Sequence, residues 1–380
     1  MRQEFFKNAR RIVIKVGTSV LSHDGQLSLA RVKALASGIA RLKKRSGSVQ
    51  VILVSSGAIG AALAFLGLKK RPVKIEELQA LAAIGQPRLM QMYMESFGTV
   101  DVVPAQVLLT WQDLASRARF ENTRRTLEQL VRQGALPIVN ENDTVSTQEI
   151  EFGDNDQLSS MVASLFNADL LVLLTDAEGL YADMKAGASS RLPLVEDLNA
   201  EHFALVQDEK KAHTKGGMAS KLGAVQKALK AGIPCVMASG AEPRILDRLF
   251  DGEDLGTLFL PKINKLSSKK HWIAYISKSE GVLVIDDGAK RALTHGGRSL
   301  LAAGLVKATG HFEAGSAVAV KDAEGQVLGK GIVNFSSTDL AQIRGHKASA
   351  WEAILGRPCS GEVLHRDNFV PAESLEGSSK

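Results

Sequence analysis

Two lysines, three runs of small residues and a knot of carboxylates carry the chemistry legible in this 380-residue chain. Lys15 interrupts an otherwise apolar run, RIVIKV, just before Gly17-Thr18-Ser19. Ser55-Ser56-Gly57-Ala58 follows the next such run and opens a helix-like segment. A third loop, HTKGGMASKLGA over residues 213–224, sets Gly216 and Gly217 ahead of a helical segment that carries Lys221 in its first turns. Glycine-lined helix starts bring unpaired backbone N–H groups up to anions, although no GxxxxGK[ST] pattern occurs in the chain. A loose phosphoryl transition state spreads negative charge over its oxygens, so its catalysis is positioning plus cationic stabilisation. Lys15 and Lys221 on opposite sides of one phosphoryl group would supply that. Each piece also has a plainer reading, since a lysine near a strand end snorkels to water and glycine-rich loops with surface lysines are common. The combination points to a phosphate site.

The stretch EIEFGDNDQLSS, residues 149–160, gathers Glu149, Glu151, Asp154 and Asp156 in a chain of formal net charge +6. A solvated loop running into a helix N-terminus would favour such carboxylates. A metal site, or a site organised around other charged groups, is the sharper alternative, and the spacing leaves the choice open. The histidines are scattered, at 23, 202, 213, 271, 295, 311, 346 and 365, and form no pair. A hydroxyl acceptor would need a general base; a side-chain carboxylate, with a pKa of about 4.3, is already an anionic nucleophile at neutral pH.

The elements that would position these residues follow from periodicity. RIVIKVGTS, VQVILVSSGA, ALPIVNENDT, ADLLVLLTDAEG and GIPCVMASG are continuous apolar runs, each closed by small or polar residues. Such runs mark strands buried on both faces of a parallel sheet, and ligands bind beyond the carboxyl ends of such strands. Between them, ARFENTRRTLEQLVRQG and MASKLGAVQKALKAG read as helices ending at Gly134 and Gly232. Residues 1–260 are thus expected to form a three-layer α/β/α sandwich with a mainly parallel sheet, and 261–280 a lysine-rich linker or connecting helix. From Gly281 the strands become short and glycine-punctuated, and SAVAVKDAEGQVLGKGIV reads as a hairpin turning at DAEG. Residues 281–370 are expected to form a small mainly-β domain, and 371–380, ending ESLEGSSK, an unstructured tail.

Composition narrows the class. With 45% hydrophobic and 23% charged residues the chain is globular. It shows neither a signal-peptide pattern nor an apolar run of membrane-spanning length, so a cytoplasmic protein is expected. Cys235 and Cys359 have no metal-ligand spacing and read as reduced thiols. From Pro261 onward sixteen Lys and Arg face twelve Asp and Glu. That mild basic bias, like the pI near 9.2, is compatible with nucleic acid or with none.

The motifs IVIKVGTSVL, VILVSSGAIG, GQPRLMQMY, PIVNENDTV, FGDNDQLSS, LLTDAEGLY and GGMASKLGA resemble those of the amino acid kinase family. NENDTV followed by FGDNDQLS is similar to its gamma-glutamyl kinase (glutamate 5-kinase) branch. GVLVIDDGAKRAL and SLLAAGLVKATGHF resemble the PUA domain appended to bacterial members. The resemblance implies ATP-dependent phosphorylation of the side-chain carboxylate of L-glutamate, the first step of proline biosynthesis. It makes Lys15 and Lys221 the phosphoryl-stabilising lysines and Asp156 the carboxylate that orients them. Ser56, Asp143 and Asn155 would bind glutamate. Lys15, Thr175 and Asp176, with Lys215, Gly216, Gly217, Met218, Ala219, Ser220 and Lys221, would bind ATP. The family usually has Gly-Thr or Gly-Ser before GGM, where this chain has Thr214-Lys215, so the role of Lys215 is left open. Magnesium would be held mainly through nucleotide phosphates, with no direct protein ligand. The resemblance further implies a homodimer or homotetramer, feedback inhibition by proline, and glutamyl phosphate reductase as functional partner, and it allows RNA as a ligand of the PUA-like domain. Two alternatives remain: a sister kinase acting on acetylglutamate, aspartate, a nucleoside monophosphate or carbamate, and an RNA-binding or RNA-modifying protein. Against the latter, only 5% of residues are aromatic and no stacking stripe accompanies the charge.

Overall fold

The computed structural model of the protein describes residues 2–23, 26–45, 49–145, 155–183, 190–206, 217–262, 267–294 and 296–372. Two compact units divide the chain, Met1–Leu114 with Ala118–Lys265, and Leu266–Lys380 with Ala115–Arg117.

In the first unit the strands are β1 (Arg11–Val16), the short hairpin β2 (Ser22–His23) and β3 (Gln26–Leu27), β4 (Gln50–Val54), β5 (Pro104–Leu109), β6 (Leu136–Glu141), β7 (Leu170–Thr175), β8 (Leu194–Val195), β9 (Cys235–Ser239) and β10 (Thr257–Phe259). Eight of them make one sheet in the order β5-β6-β4-β1-β7-β9-β10-β8. Its ladders are parallel except between β9 and β10. The five apolar runs of the sequence are β1, β4, β6, β7 and β9, and every residue of β7 is buried. Burial on both faces is what a continuous Leu/Val run provides for.

Alternation along β1 assigns the two layers. Ile12, Ile14 and Val16 join one core with Val32, Ile39, Leu89, Tyr93 and Phe97, from the helices Leu29–Lys43 and Ile75–Gly98. Val13 and Lys15 therefore face the other layer, where the helix Asn155–Leu165 packs on β1 and β7. A register slip of one residue would carry Lys15 into the hydrocarbon layer. The helices Arg117–Arg132 and Met218–Lys230 stop as expected, with Gly134 at φ 80° and Gly232 at φ 74°. Only glycine adopts that left-handed stop without steric cost.

The second unit holds β11 (Gly281–Ile285), β12 (Leu305–Gly310), β13 (Ala317–Lys321), β14 (Val327–Ile332) and β15 (Phe369–Pro371), ordered β12-β11-β13-β14-β15. β13 and β14 form the expected antiparallel hairpin, with Gly325 of DAEG at φ 87°. Its core gathers Leu283, Ile285, Val318, Val320, Phe335 and Trp351, the last two edge to face at 5.5 Å. The segment Ser268–Ile276 is helical and falls within this unit. Of the tail expected over 371–380, Pro371 closes β15 against Gly329, and residues 373–380 lie outside the described residues.

Candidate active site

The polar residues that the sequence sets after its apolar runs converge at the carboxyl ends of β1, β4, β6 and β7. Lys15, the penultimate residue of β1, is only 7% exposed along its side chain and makes an ion pair with Oδ1 of Asp156. It does not snorkel to water. Asp156 lies in the first turn of the helix Asn155–Leu165 and is 1% exposed, so the reading of the acidic stretch as a solvated helix entrance fails for this residue. Lys221 Nζ stands 3.5 Å from Asp156 Oδ2, with 12% of its side chain exposed. One buried carboxylate thus faces two ammonium groups. A buried ion is tolerated only when paired, and here one oxygen faces each lysine.

Local packing explains how Lys221 arrives. Its helix, Met218–Lys230, is clasped to the Asn155 helix by Gln157, whose Nε2 donates to the Ser220 carbonyl at 3.1 Å. A Cβ at Gly223 would come within 3.0 Å of that same Nε2, so glycine there permits the approach. On the β1 side, a Cβ at Gly17 would stand 3.7 Å from Lys15 Nζ, so the chain turns close beneath the ammonium.

Asn155 ties a second group together. Its Nδ2 donates to the Ser55 carbonyl at 2.8 Å, to Ser56 Oγ at 2.9 Å and to Asn140 Oδ1 at 3.0 Å. Ser56 precedes Gly57, whose φ of 110° turns the chain into the helix Ala58–Leu66. Asp143 is half-buried on the turn that follows β6, three residues beyond Asn140. Thr175 ends β7, and its hydroxyl donates to Asp176 Oδ1 at 2.8 Å. Burial alone would raise the Asp176 carboxyl, but hydrogen bonds from Thr175 and from the backbone N–H groups of Asp176 and Ala177, with the charge of Lys221, hold it below the usual carboxylate range. Gly217 caps the Lys221 helix, and Met218, Ala219 and Ser220 form its first turn.

Lys15 and Lys221 therefore each contact Asp156, Ser56 contacts Asn155, the residue just before Asp156 in the chain, and Asp176 lies within the field of Lys221. Lys215 and Gly216 lie outside the described residues, as do Glu149, Glu151 and Asp154. Sequence reasoning passed over Asn140 and Gln157, and took in Ser55 only as part of the small-residue loop before the helix. Asn140 had a signal, a polar side chain closing the apolar run ALPIV. Gln157 had none.

The arrangement presents a pair of ammonium groups anchored by one carboxylate, next to a cluster of amide and hydroxyl groups around Asn155. It can stabilise charge developing on a transferred anionic group on one side and orient a polar substrate on the other. The oxygens of Asp156 are turned to lysines, a poor arrangement for chelating a cation, and among the described residues no group of three or more His, Cys, Asp or Glu could hold a metal. A protein cage for magnesium does not fit the described donor set.

Comparison with known proteins places the chain in a family. A sequence model for the amino acid kinase family matches residues 10–239, and one for the PUA domain matches residues 281–355. The glutamate 5-kinase of Geobacter metallireducens is 43% identical over 373 residues, covering 97% of this chain and 100% of its own. That of Pelobacter propionicus is 42% identical over 373 residues with the same coverage. A solved carbamate kinase from Giardia lamblia, bound to AMP-PNP, is 18% identical with a TM-score of 0.47, covering 67% of this chain and 100% of its own. By the family match and by these full-length relatives, the chain belongs to the amino acid kinase family, in the branch of the glutamate 5-kinases, and carries a PUA domain behind its kinase domain.

Proposed function

We propose that the protein transfers the γ-phosphoryl group of ATP to the side-chain carboxylate of L-glutamate, giving L-glutamyl 5-phosphate, the first step of proline biosynthesis. The observation that carries this reading is the convergence of Lys15 and Lys221 on Asp156 at the strand ends of a parallel sheet. Membership of the glutamate 5-kinase branch supplies the acceptor.

In this reading a carboxylate oxygen of glutamate bonds to the γ-phosphorus as the bridging bond to ADP breaks, and ADP leaves. Lys15 and Lys221 donate to the phosphoryl oxygens, where charge spreads in the transition state. Asp156 pairs with both ammonium groups and keeps them aimed at one point. Ser56, Asn155 and Asp143 hold the amino acid by its ammonium and carboxylates. Thr175, Asp176 and the turn from Gly217 to Lys221 line the nucleotide side. No general base is required, because the nucleophile is already ionised near neutral pH. Magnesium enters with the nucleotide, as it commonly does when substrate phosphates supply most of its ligands.

The product is an acyl phosphate, which a reductase would consume. A cytoplasmic setting, a homo-oligomeric assembly and inhibition by proline accompany the same reading. Among the described residues no helix is long and apolar enough to cross a membrane. The decisive experiment traps the product with hydroxylamine in the presence of ATP, magnesium and L-glutamate. Glutamyl hydroxamate forming in proportion to enzyme is expected; none above a no-enzyme blank would overturn the reading.

A further inference from the structure

A chain of side-chain amides runs from the surface to Asn155, and backbone groups fix the polarity of its two inner amides. The Glu141 backbone N–H donates to Asn140 Oδ1 at 2.9 Å. A backbone N–H can only donate, so it decides which end of the Asn140 amide is oxygen. Asn140 Nδ2 then donates to Gln86 Oε1 at 2.8 Å, and Gln86 Nε2 donates to Gln106 Oε1 at 3.0 Å. At the inner end the Ser55 carbonyl, which can only accept, holds Asn155 Nδ2 at 2.8 Å, and Asn140 Oδ1 accepts from the same nitrogen. The two assignments agree. They leave Asn155 Oδ1 buried with no hydrogen-bond partner among the described residues, a position that costs about 1–3 kcal/mol unless a donor arrives.

Gln86 is the link that the site geometry has not yet used. It is 9% exposed, and Asn140 is 2% exposed, so neither amide has solvent to replace a lost partner. Its helix is held hard against the site. A Cβ at neighbouring Gly85 would lie 1.8 Å from the Ala58 carbonyl oxygen, so the Ile75–Gly98 helix meets the start of the Ala58 helix backbone to backbone. On the same helix, Tyr93 OH and Ser55 Oγ are hydrogen-bonded at 2.7 Å. Gln106, at the outer end, is exposed, so the contact that Gln86 makes away from solvent is the one to Asn140.

We propose that Gln86 is a positioning residue: by accepting from Asn140 it locks the Asn140 and Asn155 amides so that Asn155 Oδ1 faces the α-ammonium of the acceptor amino acid. The selectivity for an amino acid over a plain dicarboxylate then depends on a residue that does not touch the substrate. The inference rests on the glutamate reading given above.

The test measures hydroxamate formation from L-glutamate and from glutarate, which lacks the ammonium. Wild-type, Gln86→Met and Gln86→Glu proteins are compared. In Gln86→Met the glutamate KM should rise about tenfold with kcat within about threefold, the scale of one lost hydrogen bond to a charged partner. The glutamate-to-glutarate ratio of kcat/KM should fall by roughly the same factor. Gln86→Glu keeps an acceptor oxygen facing Asn140 and should hold that ratio within about threefold of wild type. An equal fall for both substrates in Gln86→Met, the mark of a merely structural role, would overturn the proposal. So would an unchanged ratio. Should Gln86→Met not fold, a tenfold loss of the ratio in Gln86→Glu would overturn it as well. Failure of the wild-type protein to act on glutamate would instead overturn the glutamate reading, and the proposal with it.

Discussion

Asp156 and Asp247 are both carboxylates less than one-tenth exposed, and each is flanked by two cations. At Asp247 the partners are guanidinium groups. Arg41 Nε lies 2.9 and 3.0 Å from its two oxygens and Nη2 lies 2.7 Å from Oδ2, while Arg244 Nε adds a contact of 3.0 Å. The planar forks match the carboxylate, and the arginine side chains are 45% and 71% exposed on their outer sides. The cluster fastens the helix Ile245–Phe250 to the helix Leu29–Lys43. At Asp156 the partners are ammonium groups, which carry three donors each, so pairing with one carboxylate oxygen does not exhaust them. Both lysine side chains are nearly sealed from water, where charge acts most strongly. Each of the two carboxylates faces two cationic side chains. Donor geometry and access to solvent separate a pocket that can act on a guest from a staple.

The comparison can be broken most forcibly at Asp156 and its lysines. Lys15→Met, Lys221→Met and Asp156→Asn should each lower kcat by about 10²- to 10³-fold, the usual cost of one preorganised donor, with KM for both substrates within a few fold. Steady-state hydroxamate kinetics reads this directly. Because Asp156 keeps one lysine in either single lysine variant, circular dichroism melts should still show a folded protein. Near-wild-type turnover in both lysine variants would remove the distinction between the clusters.

A smaller effect, of a different kind, belongs to the amide and carboxylate ring. Asn155→Ala and Asp143→Ala should raise the glutamate KM about tenfold, the equivalent of about 1.4 kcal/mol, while kcat changes less. A fall in kcat at constant KM would place these groups with the lysines instead.

The smallest effect is expected at the staple. Asp247→Asn should leave kcat and KM unaltered and lower stability by about 1 kcal/mol, about 2–4 °C in Tm, given how exposed its partners are. Burial pushes the Asp247 carboxyl up, but the hydrogen bonds and charges of Arg41 and Arg244 outweigh it and hold it below the usual range. A folded-state pKa depressed below the unfolded value of about 3.9 contributes fully above that value and is lost as pH falls through the lower folded one. The Tm gap between wild type and Asp247→Asn should therefore stay constant from pH 7 to about 5 and close below about pH 4. A gap that widened with acid would reverse the assigned sign.

Legibility in the sequence followed burial. β1, β4, β6, β7 and β9 are interior strands, so their apolar runs are continuous and conspicuous. β5, at the sheet edge, is half-buried along most of its length and begins at Pro104, so PAQVLL carried no such signal. β8 and β10, of two and three residues, are too short to show a period. At the site, the residue types of Lys15 and Lys221 with their glycine loops pointed to a phosphate site, and the family resemblance offered roles for Asp156 and Asn155. Their convergence could not be read from spacing, since Lys15 and Asp156 meet only through the sheet and the helix above it. The link between Gln86 and Asn140 was invisible for the same reason: an amide relay is a property of contacts, and GQPR and IVNEN reveal nothing of it when read separately.

The central place of β1 has a consequence for the newly made chain. β1 pairs with β4 on one side and with β7 on the other, Ile12 lying opposite Leu170. At ribosomal speeds of about 5–20 residues per second, Leu170 is synthesised roughly 8–30 s after Ile12. Throughout that interval the β7-facing edge of a strongly apolar strand has no native partner, and such edges invite pairing with other nascent chains. Lys15 is the only charge in the run from Ile12 to Val16, and a lysine on a bare strand edge discourages such pairing. Lys15, paired with Asp156 in the folded chain, is thus also the charge that this strand carries on its open edge until β7 is made.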